Sequence, residues 1–193
     1  LDIGLITKRE DLFGRAAFNI EVEGEGLDPN TLNAKFSSEI SSLSLNGYNY
    51  QFLTFDGTAD GKRYKGRVKV ADQHLKIEAN LSANLGLKRP SLQMNASVGN
   101  ADPAALGLWK TDSLMTVSAE LIADLEGEHI DNLTGHLEIS EALVKYGKGR
   151  YNIDDLLLEL EGDQNNRDIE FYSNMFDAGI HGSIAVQDIL PAF

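Results

Sequence analysis

The carboxylates that stand closest together are the first candidates for chemistry in this sequence. Asp154 and Asp155 are adjacent, and Glu159 and Glu161 are separated by one residue. The residues around them alternate between apolar and polar, which is typical of a β-strand, where adjacent side chains point to opposite faces. Asp154 and Asp155 therefore cannot share a proton as an acid/base pair must. Glu159 and Glu161 lie on one hydrated face, and we predict solvated charges rather than a catalytic pair.

Ligands for a metal ion or a phosphate group are also poorly placed. The chain has no cysteine, which excludes a thiolate metal site, a cysteine nucleophile and a disulfide scaffold. Asp163, Asn165 and Asp168 resemble a calcium loop without its glycine and terminal glutamate, so an Asx-rich turn is predicted. Gly24 and Gly26 lack the third glycine and the helix of a phosphate loop. Four histidines stand far apart, with no two at a metal-ligand spacing: His74, His129, His136 and His181. The sequence predicts a protein that is not an enzyme and holds neither metal nor cofactor.

Composition and charge limit the possible partners. The chain has 193 residues, of which 42% are hydrophobic and 24% charged, with a formal net charge of -13. Phosphate backbones and anionic lipid headgroups would meet like charge on approach, so nucleic acid is not an expected partner. No uninterrupted apolar run reaches the 18 or more residues of a membrane span. Because the sequence starts at Leu1 without a methionine, we expect it to be a piece of a longer protein.

The clearest structural pattern lies in residues 57–85. Small or apolar residues alternate there with Lys, Arg, Glu, Asn and Ser, which predicts two strands with one dry and one wet face. Asp72 lies in the connection between them and suits a tight turn. Residues 162–186 repeat this form at an offset of 105. The corresponding pairs are Gly57 and Gly162, Tyr64 and Ile169, Asp72 and Asp177, and Leu75 and Ile180. We predict one domain, 1–193, with repeat one at about 16–89 and repeat two at about 90–187.

The rest of the chain reads as further short strands, roughly a dozen in all. Asn46-Gly47 is the strongest hairpin signal. Asp102 and Pro103 predict the start of one short helix near 103–108. Residues 1–15 could form a strand followed by a charged turn. Such one-faced strands build antiparallel sheets.

How the dry face is covered remains open at this point. A closed β-sandwich or barrel would cover it with itself and would suit an interaction or adhesion module. A curved, incompletely closed sheet would leave a groove that needs a ligand or partner. Trp109 follows the predicted helix and would either pack into the core or form part of a lid over the groove. Met and Phe on the dry face would adapt to mobile apolar chains.

Several segments in their order carry a resemblance to a known family. They are VEGEGLDP, LNGYNYQFLTFDG, GRVKVADQHLKIEANLSANL, VGNADPAALGLW, IDNLTGHLEIS, YNIDDLLLEL and FYSNMFDAGIHGSI. Together they resemble the repeat region of the TamB-like proteins, the translocation and assembly module family within the AsmA-like superfamily, in its Bacteroidetes form. The resemblance implies an internal fragment of the β-repeat region of a long periplasmic protein anchored in the inner membrane of a Gram-negative bacterium. It further implies protein secretion, outer-membrane biogenesis and lipid transport as the functional context.

We therefore predict an all-β fold, a long, strongly twisted and curved antiparallel sheet in the form of a half-pipe with two repeats. Its apolar groove is predicted to bind phospholipid acyl chains. Other predicted partners are neighbouring repeats of the same polypeptide and, through regions outside this chain, an outer-membrane barrel protein. The predicted groove residues are Phe18, Ile20, Val22, Phe36, Val68, Val70, Leu75, Ile77, Leu81, Met94, Val117, Leu121, Leu137, Leu156, Leu158, Leu160, Ile169, Phe171, Ile180 and Ile184.

Overall fold

A computed structural model describes residues 1–8, 10, 12–26, 28–108, 115–163 and 165–183. Apart from one short α-helix, α1 (Ile3–Thr7), and one turn of 3-10 helix (Ile130–Asn132), the regular elements are strands. The strands are β1 (Phe13–Glu25), β2 (Asn33–Leu45), β3 (Tyr48–Asp60), β4 (Arg63–Ala71), β5 (Lys76–Asn84), β6 (Ser91–Ala101), β7 (Met115–Glu126), β8 (Thr134–Tyr146), β9 (Gly149–Asp163), β10 (Asn166–Ser173) and β11 (Ala178–Gly182).

All eleven strands belong to one sheet, and they follow one another in chain order from β1 to β11. Every neighbouring pair is antiparallel, as expected for strands joined by short connections. Within the described residues β1 and β11 do not pair, so the sheet is not closed into a barrel. The all-β, open antiparallel fold predicted from the sequence is confirmed, and the closed barrel considered beside it is wrong.

The helix predicted near 103–108 is a turn instead. Asp102 accepts hydrogen bonds from the backbone N–H groups of Ala104 (3.1 Å) and Ala105 (3.0 Å), as a helix N-cap does. Gly107 then takes a φ of +72°, which stops the helix before it completes a second turn. The α-helix lies at Ile3–Thr7, a segment for which the sequence allowed a strand, and it begins after Asp2, whose side chain accepts from the Leu5 N–H.

Cross-strand partners lie on the same face of an antiparallel sheet, so they form rows that run from strand to strand. Three rows extend across ten or eleven strands and define what we call the apolar face. The first contains Ile20, Ser38, Phe55, Val68, Ala79, Ala96, Leu121, Ile139, Leu156 and Ser173. The second contains Val22, Phe36, Gly57, Gly66, Leu81, Met94, Ala123, Leu137, Leu158, Phe171 and Ala178. The third contains Gly24, Ala34, Ala59, Tyr64, Ala83, Leu92, Leu125, Gly135, Leu160, Ile169 and Ile180.

A fourth, shorter row lies beside the first and ends at a line of irregular pairing. It contains Phe18, Ile40, Leu53, Val70, Ile77, Val98 and Ala119. Register shifts follow Val98 on β6 and precede Phe18 on β1. Phe52, Asn100 and Glu141 lie along this line with φ values of 54°, 53° and 51°. Such bulges bend strands and increase their twist.

The two hairpins predicted to repeat each other differ in register. Leu75 lies in the connection before β5, whereas its predicted counterpart Ile180 lies within β11, opposite Ile169. The connection after β10 is therefore not a copy of the Asp72 turn. The sheet also continues without a break between the predicted repeats, because β5 pairs with β6 along its length.

No second layer seals the apolar face of the described chain. Of the twelve buried hydrophobic residues in the described chain, eight are alanines, so few large apolar side chains are buried. The chain exposes 12919 Å², whereas a compact globular protein of 21.1 kDa exposes about 9,000 Å². The protein therefore resembles a single-layer sheet more than a two-layer domain.

Candidate functional site

The sheet brings most of the predicted groove residues onto the apolar face. Those in the first three rows are Ile20, Val22, Phe36, Val68, Leu81, Met94, Leu121, Leu137, Leu156, Leu158, Leu160, Ile169, Phe171 and Ile180. Phe18, Val70 and Ile77 lie in the fourth row. Leu75 lies in the connection between β4 and β5, and Val117 pairs with Ala101 and Val144 beyond the line of bulges. Ile184 and Trp109 lie outside the described residues.

Two glycines form the floor of this face between β3 and β4. Gly57 and Gly66 are direct partners in the second row. A Cβ at Gly57 would approach the Phe36 ring to 2.6 Å, and one at Gly66 would approach the Phe55 ring to 2.7 Å. The two rings, 5.1 Å apart, therefore lie over the glycine pair. Phe55 was missed in the sequence, although glycine within a strand is a signal for such close packing.

Exposure along the face is highest at its edges. Phe18, Ile20 and Val22 on β1 are 37%, 57% and 65% exposed, and Ile180 on β11 is 49% exposed. Residues of the central strands, such as Val68 and Leu121, are half-buried. Apolar side chains in this state gain further free energy when another apolar group covers them, at about 25 cal/mol per Å².

One end of the face is tied down by Asp72. This carboxylate is 3% exposed and accepts hydrogen bonds from the Tyr48 hydroxyl (2.6 Å) and from the backbone N–H groups of His74 (2.9 Å) and Gln51 (3.0 Å). Burial raises the pKa of Asp72, but these hydrogen bonds outweigh it, so the pKa lies below 3.8. Burial, together with the bond to Asp72, raises the pKa of Tyr48 to about 12. Asp72 thus joins the β2–β3 hairpin to the β4–β5 connection.

Arg167 ties down the opposite end. Its side chain is fully buried, and its guanidinium donates to the backbone carbonyls of Leu133 (2.6 Å) and Gly162 (3.2 Å). Burial lowers the pKa of Arg167 from its usual value, although the charges of Asp131 and Asp163 oppose this shift. The buried arginine thereby joins the connection before β8, through Leu133, to the end of β9, through Gly162.

The other side of the sheet, which we call the polar face, carries the charged rows. One of these rows contains Asn19, Glu39, Thr54, Lys69, Glu78, Ser97 and Glu120. Lys69 and Glu78 form an ion pair at 2.6 Å. Two hollows of about 820 and 800 Å³ are lined by residues of this face together with residues of the apolar rows, among them Phe18, Ile40 and Leu53 in the first hollow and Phe36 and Leu81 in the second.

The adjacent carboxylates singled out in the sequence lie on the surface of the described sheet. Asp154 and Asp155 are exposed, in agreement with their interpretation as solvated charges. Asp163 accepts from the N–H groups of Asn165 (2.8 Å) and Asn166 (3.3 Å), which confirms the predicted Asx-rich turn. Among the residues that the structure describes, no group of three His, Asp or Glu side chains is placed to hold a metal ion.

His181 is the one histidine bound to two carboxylates in the described part of the chain. Its Nδ1 bonds to Asp168, and its Nε2 lies 3.3 Å from Glu170. The hydrogen bond and charge of Asp168 raise the pKa of His181 above 6.5. The stabilisation of the β10–β11 pair by the imidazolium is therefore complete below the unfolded pKa of 6.5 and lost as pH rises through the folded pKa.

We expect an NMR titration of His181 to show a midpoint above 6.5, and Asp168→Asn to lower that midpoint. The amide protons of β11 should exchange faster once the imidazole is neutral. A wild-type midpoint at or below 6.5 would contradict the interaction with Asp168.

Within the described residues, the structure contains no helix with the length and apolar character that crossing a membrane requires. Comparisons with protein-family models, with curated proteins and with solved structures found no match to this chain, so the family resemblance of its segments stays a prediction.

Proposed function

We propose that this chain is a non-enzymatic binding segment whose apolar face holds lipid acyl chains. The observation that carries the proposal is the set of apolar rows that cross the open sheet without a second layer over them. In the first three rows the only side chains with a polar atom are Ser38, Ser173 and Tyr64, and the Ser38 hydroxyl donates to the carbonyl of Phe55.

The shape of this surface suits a long apolar chain better than a compact ligand. Ten steps between neighbouring strands, at about 4.8 Å each, give a continuous apolar path of about 48 Å. Each methylene group transferred from water to this path contributes about 0.8 kcal/mol. Because the path consists of aliphatic and aromatic contacts without directional polar groups, it would accept tails of different length.

The headgroup would remain in water beside the sheet. The net charge of -13 disfavours close contact with an anionic headgroup, and the exposed edge residues Ile20, Val22 and Ile180 give a tail a route onto the apolar face. In this proposal the segment supports phospholipid transport and outer-membrane assembly as part of a periplasm-spanning protein, a context supported by the segment resemblance described above.

Uptake of a phospholipid with a fluorescent acyl tail by delipidated protein tests the proposal. We expect saturable uptake, and we expect a diazirine on the acyl tail to cross-link to Val68, Leu81 or Met94 of the apolar face. Glycerophosphocholine, which has the headgroup without tails, should not compete. Absence of uptake, or cross-links confined to polar-face residues such as Thr54 and Glu78, would contradict the proposal.

A further inference from the structure

Strand β4 and the turn before it carry an excess of positive charge. Residues 61–71 contain five of the 17 lysines and arginines of the chain and no aspartate or glutamate. These five cations are Lys62, Arg63, Lys65, Arg67 and Lys69. The whole chain has a formal net charge of -13, so this segment is locally opposite in sign to the rest of the molecule.

The outer and the inner cations of β4 differ in their partners. Arg63 and Lys69 form ion pairs at 2.8 and 2.6 Å with carboxylates of the neighbouring strands. Within the described residues, Lys65 and Arg67 form no ion pair, and Arg67 donates one long hydrogen bond of 3.4 Å to Asn80. Lys65 and Arg67 are two residues apart on one face of the strand, a backbone separation of about 6.8 Å. Their like charges repel each other, and an anion between them would relieve the repulsion.

The two inner cations line the hollow of about 800 Å³, which opens on the polar face. On β6, Gln93 and Asn95 line this hollow, whereas Met94 between them, on the apolar face, does not. Phe36 and Leu81 also line it. Because their side chains belong to an apolar row on the opposite face, these two residues contribute to the floor of the hollow.

The charged lining of the hollow is positive in sum. Lys35, Lys65 and Arg67 carry three positive charges, and Asp56 carries one negative charge. Glu23 lies opposite Lys35 outside the lining, and the positive charges exceed the negative ones even when it is included. Since charges beyond about 8 Å are largely screened at physiological ionic strength, this local excess decides which ligand fits at contact.

The remaining polar-face side chains of the lining are uncharged and form hydrogen bonds. They are Thr58, Asn80, Ser82, Gln93 and Asn95. A ligand that contacts them buries little apolar protein surface, so the hydrophobic effect contributes little here. Amide and hydroxyl groups both donate and accept hydrogen bonds, as the hydroxyl groups of a sugar do. The lining therefore favours an anionic carbohydrate over an acidic amphipathic peptide.

We infer that this hollow binds an acidic oligosaccharide. Arg67 can bind a carboxylate with two parallel hydrogen bonds, and Lys65 and Lys35 supply point charges beside it. The amide and hydroxyl side chains on β5 and β6 bind the sugar hydroxyls. The volume is within the range of about 300–1,000 Å³ seen for small-molecule sites. The site lies on the opposite face from the apolar rows and is independent of the proposed lipid function.

Titration with trigalacturonate, a trisaccharide with three carboxylates, tests the site. We expect chemical-shift changes at the amides of Thr58, Arg67 and Asn95, and weaker binding at higher salt. The methyl ester of trigalacturonate has the same sugar body without the charges and should bind about tenfold more weakly. Acetylated and amidated triglutamate has three carboxylates without the sugar body and should bind about threefold more weakly.

Variants of the lining separate its charges from its amides. Lys65→Gln with Arg67→Gln should weaken trigalacturonate binding about tenfold, and Asn95→Ala about threefold. Lys65→Arg with Arg67→Lys keeps both charges and should bind within about threefold of the wild type. Lys145→Gln with Arg150→Gln is the matched control, because it removes the same charge from cross-strand partners of β8 and β9 outside the hollow. This control should leave binding unchanged.

Stability separates loss of the site from loss of the fold. The unfolding midpoint of Lys65→Gln with Arg67→Gln should not fall, since the substitutions remove a repulsion and no ion pair within the described residues. Equal loss of affinity in the two glutamine double variants would overturn the site, as would equal binding of the methyl ester or of triglutamate, or shift changes confined to other strands. Delipidated and lipid-loaded protein should bind the trisaccharide equally, so a failure of lipid uptake leaves this test intact.

Discussion

Replacing Asp72 with alanine is expected to lower the free energy of unfolding by about 3 kcal/mol at pH 7. The substitution removes a buried carboxylate that accepts three hydrogen bonds, and it leaves the N–H groups of Gln51 and His74 without that partner. Removing the Tyr48 hydroxyl by Tyr48→Phe deletes one of the three bonds and should cost about 1 kcal/mol. Urea unfolding followed by far-UV circular dichroism measures both changes.

Asp177→Ala is the matched control, since Asp177 is an exposed aspartate at a comparable hairpin connection. It accepts one long hydrogen bond, from the Ser173 N–H at 3.3 Å, and its replacement should change stability by less than about 0.5 kcal/mol. Equal effects of the two substitutions would contradict the role given to Asp72.

The pH dependence gives the Asp72 contribution a second signature. Because hydrogen bonds hold its folded pKa below the unfolded value of 3.8, the contribution is complete above 3.8 and is lost as pH falls through the folded pKa. The stability difference between wild type and Asp72→Ala should therefore shrink below pH 3.8. A difference that stays constant down to pH 2 would show that the carboxylate charge is not responsible.

The strands and their faces could be predicted from the sequence because alternation is a local property. Residues such as Val68, Val70, Ile77 and Leu81 show which face is apolar without any knowledge of their neighbours in space. Asn46-Gly47 likewise predicted a tight hairpin, and the structure gives these residues φ values of 49° and 78°, the pair of positive angles that a type I′ turn requires.

The features that the sequence did not show depend on contacts between distant segments. Arg167 is polar by type but fully buried. Its guanidinium bonds to the carbonyl of Leu133, which belongs to a connection 34 residues earlier, and the local sequence does not show this contact. The left-handed backbone of Phe52, with a φ of 54°, is likewise not predicted by the alternation of its strand. Whether the apolar face is covered depends on whether the sheet closes. The same alternation of apolar and polar residues is compatible with an open sheet and with a closed one.

Two pairs of substitutions with nearly the same composition can separate the apolar face from the rest of the molecule. Leu121→Glu with Leu158→Glu introduces two carboxylates into the first and second apolar rows. An acyl tail that covered these rows would bury the new carboxylates without a partner, and the free-energy cost of burying an unpaired charge opposes binding. We expect this double variant to lose most of the phospholipid uptake in the fluorescence assay.

Ile122→Glu with Leu157→Glu is the control, because it adds the same charge to the adjacent positions of the same two strands. Ile122 and Leu157 are both partners of Glu138 and therefore lie on the polar face. This variant should retain uptake, although its new carboxylates near Glu138 should lower stability slightly. Both variants must keep the far-UV circular dichroism of the wild type for the comparison to apply, and Leu121→Gln with Leu158→Gln provides an uncharged version. Equal uptake by the two glutamate variants would show that lipid does not bind along the apolar rows, because charge and composition are matched and the two variants differ in the face that carries them.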